Sequence, residues 1–83
     1  MPRIFYHLRD GVDHLIDPEG RELPDLDAAR KQASICAFDI LAADIRVGKL
    51  NLDYRIDVED EAGNLLHTVN FRDLVTITGL RPS

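Results

Sequence analysis

The chain has 83 residues, enough for one domain with a single core near the lower limit of independent stability. Its 45% hydrophobic and 30% charged content is that of a globular domain and excludes general disorder, while a net charge of −5, with bases scattered from Arg3 to Arg81, argues against nucleic acid as a partner. No apolar run nears the roughly 18 residues of a membrane span, Ile4-Phe5-Tyr6 is too short for a secretion signal, and the lone Cys36 excludes an internal disulfide, so a reducing cytoplasm and no membrane contact are expected.

Residues 3–9 are rich in β-branched and aromatic types and predict a strand with Ile4, Tyr6 and Leu8 on one face and Phe5, His7 and Arg9 on the other. Asp10-Gly11 favours a tight hairpin turn into a second strand over Val12–Ile16, although a three-residue turn also fits. Asp17-Pro18-Glu19-Gly20 ends that strand as a turn, and Arg21–Pro24 is extended because Pro24 disfavours the helical conformation at Leu23.

Asp25 is a suitable N-cap for a helix from Leu26 to about Val47, with Asp27 in its first turn and Gly48 just past its end. At about 100° per residue, Leu26, Ala29, Ala33, Cys36, Ala37, Ile40, Ala43 and Val47 make an inward stripe of mostly small side chains. Ile35, Phe38, Leu41, Ala42 and Ile45 project from the opposite side, where a helix lying on one sheet needs only polar groups.

A strand over Tyr54–Glu59 follows, and a loop at Glu61-Ala62-Gly63-Asn64 pairs Tyr54 with Phe71, Ile56 with Val69 and Val58 with His67, giving one almost wholly apolar face. Leu74-Val75-Thr76-Ile77 is either a short edge strand or an arm over apolar surface. The pattern as a whole predicts a single domain over 1–83, with its core at about 3–75 and a tail at 76–83. Its class is α+β: a two-layer ββαββ arrangement in which a four-stranded, mainly antiparallel sheet carries one long helix on one face.

Met1-Pro2-Arg3, His7-Leu8-Arg9-Asp10-Gly11, Gly20-Arg21-Glu22-Leu23-Pro24-Asp25-Leu26 with Ala28-Ala29, Asp60-Glu61-Ala62-Gly63 and Val69-Asn70-Phe71 together resemble a family of short bacterial proteins classed as a domain of unknown function. The likeness runs from residue 1 to about 75 and carries no activity, ligand or catalytic residue with it. A shorter likeness, Leu23-Pro24-Asp25-Leu26-Asp27-Ala28-Ala29, is similar to the HicB-like antitoxin domain and implies binding of a small toxic ribonuclease.

Chemistry has few candidates. A two-residue turn at Asp10-Gly11 sets His7 opposite His14, near enough to share a zinc or nickel ion with Asp13 or His67 as third ligand; the alternative is a pair of solvated strand histidines. Cys36 lies in the inward stripe, where a thiol is inert, and Ser34 and Ser83 have no evident base. Asp57, Glu59, Asp60 and Glu61 read as a solvated acidic patch. Arg3, Phe5, Tyr6, His7 and Arg9 interleave bases with aromatics, but Phe5 and Tyr6 face opposite ways. Each glycine stands alone, so there is no phosphate-binding loop.

No catalytic residue, cofactor or small-molecule ligand is therefore expected. The surplus apolar surface at Ile35, Phe38, Leu41, Ala42 and Ile45 points instead to a non-enzymatic, regulatory or protein-interaction module with a protein partner, foremost a second copy of itself. The alternative is that the tail, with Leu74, Val75, Ile77 and Leu80, covers that surface within one chain.

Overall fold

Local chemistry sets where each element begins and ends, as seen in the computed structural model, which describes residues 3–10, 14–15 (main chain only) and 19–79. β1 spans Arg3–Arg9, β2 His14–Leu15, β3 Arg21–Glu22, α1 Leu26–Arg46, β4 Arg55–Glu59 and β5 Leu65–Asn70, followed by a 3-10 turn at Phe71–Asp73. The strands form one antiparallel sheet in the order β2-β1-β4-β5, and β3 shares the β2 side of β1. The expected α+β arrangement is therefore present, with its second strand position divided between β2 at Leu8 and Arg9 and β3 at Arg3 and Ile4.

The first hairpin departs from expectation. Arg9 pairs with His14 and Leu8 with Leu15, which is not the register of a two-residue Asp10-Gly11 turn. This register sets Leu15 opposite Leu8, where the tighter turn would have set Asp13. Among the described residues the second strand is two residues long, shorter than Val12–Ile16.

Asp25 caps α1 by accepting from the Ala28 N–H at 2.8 Å. Gly48, at φ +78°, turns the chain out of the helix, and the N–H groups of Gly48 and Lys49 close on the carbonyls of Ile45 and Asp44. Ala29, Ala33 and Ala37 are fully buried, Leu41 is 5% exposed, and Cys36 and Ile40 pack half-buried against the core. Leu26, Ala43 and Val47, expected on the inward stripe, are exposed. A four-residue step advances about 40° beyond a full turn, so the buried line Ala29-Ala33-Ala37-Leu41 winds around the helix. A straight stripe does not follow that line, so Leu41 moves inside while Ala43 and Val47 fall outside.

Small side chains let the helix sit close to the sheet, whose inner face contributes Ile4, Ile56, Val58, Val69 and Phe71. β4 and β5 pair as expected, Ile56 opposite Val69 and Val58 opposite His67, and the Phe71 N–H donates to the Tyr54 carbonyl with their rings 5.5 Å apart. A bulge then sets Glu59 opposite Leu65. Beyond the 3-10 turn, Leu74 and Val75 pack on the core, whereas Thr76–Gly79 is exposed and pairs with no strand. The edge-strand alternative for the tail is thereby corrected. Leu80 lies outside the described residues.

Candidate functional site

Two surfaces merit consideration, one on each layer. On the helix, Ile35, Phe38 and Ile45 are 51%, 48% and 56% exposed, and Ala42 between them is exposed too. Their spacing of three, four and three residues is that of a helix–helix seam. Leu41 does not belong with them: it is buried in the core because the winding contact line reaches it at the end of the alanine series. The described part of the tail leaves the row uncovered.

The second surface is the sheet face turned away from α1. There the register sets Phe5 opposite Glu59, His7 opposite Asp57 and Arg9 opposite Arg55. Asp57 is the hub. It accepts from the Arg9 guanidinium, from Arg55 Nε at 3.4 Å and from the Thr68 hydroxyl at 3.1 Å, and it is only 7% exposed although no second layer of described residues covers this face. Arg9 also reaches Glu59 at 3.3 Å, and His7 Nε2 lies 3.6 Å from the same carboxylate. The Phe5 and His7 rings stack with centroids 6.4 Å apart. The Asp57 hydrogen bond raises the pKa of Arg9 above its ordinary value, against the opposing effect of burial, with further support from Glu59. Carboxylates and guanidiniums thus neutralise one another across β1 and β4.

The remaining candidates separate. His14 pairs with Arg9, so His7 and His14 are not directly opposite. His67 pairs with Val58 and shares Tyr6's face of the sheet, which excludes it as a third ligand beside His7; Asp13 lies outside the described residues. Among the described residues no group of three or more His, Cys, Asp or Glu is placed to hold a metal ion. Cys36 is half-buried with Gln32 Nε2 3.6 Å from its sulfur.

The acidic patch divides in two. Asp57 and Glu59 join the sheet network, whereas Asp60 accepts from the Ala62 N–H, the Asn64 N–H and the Asn64 side-chain amide, so that its pKa is lowered chiefly by the Asn64 side chain. The bases interleaved with aromatics on β1 are engaged by protein groups: Arg3 by Glu22 and the Glu19 carbonyl, Arg9 by Asp57 and Glu59. Tyr6 faces the helix, where its hydroxyl donates to the Ala29 carbonyl.

Sequence reasoning missed the Arg9-Asp57-Arg55-Glu59 network. The alternation of Arg55, Asp57 and Glu59, and of Phe5, His7 and Arg9, was visible, but joining them needed the β1–β4 register, which no local signal carries.

The model of one protein family, described as a domain of unknown function (DUF6894), matches residues 3–72. No curated protein and no solved structure matches the chain. The match agrees with the resemblance to a family of unknown function and gives no support to the HicB-like likeness.

Proposed function

The chain belongs to this family of unknown function, and from that premise we propose that it is a non-enzymatic interaction module, acting in the bacterial cytoplasm as a homodimer with the outer row of α1 in the contact. One observation carries the reading: Ile35, Phe38 and Ile45 stand half-exposed along one line of the helix, and no described segment of the chain covers them. Contiguous apolar rows of this kind mark association surfaces, and two-fold self-association is the commonest solution. The polar face of the sheet is consistent with a module that performs no chemistry, since its charged side chains are engaged with one another. No helix among the described residues is long and apolar enough to cross a membrane.

Sedimentation of the purified protein tests the reading. The unmodified chain is expected at twice the monomer mass, and the Phe38→Glu/Ile45→Glu variant at the monomer mass with its far-ultraviolet circular dichroism intact. A monomeric unmodified protein at tens of micromolar removes the proposal.

A further inference from the structure

β5 ends the sheet. β4 takes one side of it, and no described residue hydrogen-bonds to the other. Because the Phe71 N–H donates to Tyr54, the main-chain groups of Phe71, Val69 and His67 point towards β4, and those of Asn70 and Thr68 point away from the sheet. The strand has no Asp, Glu, Lys, Arg or Pro, and its bulge lies at the turn end rather than in its middle, so the usual protections of an open edge are missing. The far side of β1, by contrast, is occupied by β2 and β3.

Part of the exposed helix row, Phe38 and Ile45, falls by helical periodicity on the flank nearer this edge. β3 and β4 are each antiparallel to β1 and hence parallel to one another, which makes α1 a crossover connection, right-handed by the general rule for such units. α1 lies over β4 and β5. With that hand, helical periodicity turns the Ala29 flank towards β1, in keeping with the bond from Tyr6 to Ala29, and turns the flank of Phe38, Leu41 and Ile45 towards β5.

Resting on the homodimer reading, we infer that a second copy of the chain adds its β5 antiparallel to this one about a two-fold axis at Thr68. The result is one continuous sheet with the two α1 helices side by side on the same face. Thr68 then pairs with the partner's Thr68, and the outward main-chain groups of Asn70 on each strand extend the pairing to either side of the axis. No like charges meet along the seam, although each chain carries −5.

Area selects a second copy over an unrelated strand. Phe38 and Ile45, each about half-exposed, supply roughly 200 Å², well short of the about 800 Å² per partner of a standard interface. Strand pairing adds to that total, and only a copy brings its own α1 alongside to bury Phe38 and Ile45 in the same event. A bare peptide on β5 leaves them in water.

Two variants test the arrangement beside the unmodified protein. Asn70→Pro removes an outward N–H at a residue whose φ of −90° lies near the proline range, and Thr68→Cys in a Cys36→Ala background places a thiol at the axis. The expected results are a dimer for the unmodified chain, a folded monomer for Asn70→Pro, and a disulfide-linked dimer for the Thr68→Cys protein under mild oxidation, with Glu61→Cys in the same background giving none. A dimeric unmodified chain whose Thr68→Cys variant forms no cross-link overturns the edge pairing and leaves the homodimer reading standing. A monomeric unmodified chain overturns both. Where the Asn70→Pro protein does not fold, the cross-link alone decides.

Discussion

Arg9 donates to Asp57 one step away from the pairing register, which sets Asp57 opposite His7 and Arg9 opposite Arg55. Two guanidiniums directly opposite each other on one sheet face repel, and Asp57, accepting from both, is what allows them to be neighbours. Asp57→Ala is expected to lower stability by about 3 kcal/mol, since it leaves Arg55 without a carboxylate and Arg9 with Glu59 alone, while Arg9→Met/Asp57→Leu recovers much of the loss. Urea midpoints decide; an unshifted midpoint for Asp57→Ala sinks the argument.

Gly20 predicts a contrast with Gly63. Both have positive φ, +70° and +84°, but a Cβ at Gly20 would lie 2.9 Å from the Ile4 carbonyl oxygen and 2.9 Å from the Phe5 ring, whereas one at Gly63 would meet nothing within 4 Å. Gly63→Ala should cost about 1 kcal/mol, the ordinary penalty of a left-handed residue. Gly20→Ala should cost more, and hydrogen exchange at Arg21 and Glu22 should quicken as β3 leaves β1. Equal costs for the two would contradict the close approach.

Ala33 lies between helix and sheet with no exposed surface. Enlarging it to Leu overfills a seat built for small side chains and is expected to cost about 1–3 kcal/mol, whereas Ile35→Leu, on the outer row of the same helix, should change monomer stability by less than about 0.5 kcal/mol. Thermal unfolding of the two variants measures the difference. Equal effects would mean that α1 is not held close.

Asp60 predicts a pH dependence of the β4–β5 turn. Its folded pKa is lowered, mainly by the Asn64 side chain and then by backbone donors. The stabilisation it supplies is therefore fully present above the unfolded carboxylate range and lost as pH falls through the depressed folded value. The stability difference between the unmodified chain and Asp60→Ala should be constant near neutrality and shrink in acid. A difference independent of pH would remove the assignment.

What the sequence made legible was local or periodic. Asp25 and Gly48 bracket the helix because capping depends on neighbouring residues, and the Tyr54–Phe71 hairpin was readable because shifting it by one residue spoils the match of Ile56 with Val69. The first hairpin was harder, since Asp10-Gly11 permits a tight turn and nothing local distinguishes it from the wider register that sets Leu8 opposite Leu15. Leu41 was misplaced because a contact line that advances four residues at a time winds around the helix. The Asp57 network was out of reach because it joins residues 48 and 50 positions apart in the chain.

Ala29, Ala33 and Ala37 recur at close to the interval that advances the helix by one turn. Sliding α1 along its axis by that step exchanges one alanine for the next, so the middle of the helix seat does not by itself distinguish one axial position from another. The choice falls to the larger contacts around them: the Tyr6 hydroxyl at the Ala29 carbonyl, Cys36 and Ile40 against the core, and the bulk of Leu41 beyond the last alanine. Those contacts act as the stops of a sliding joint.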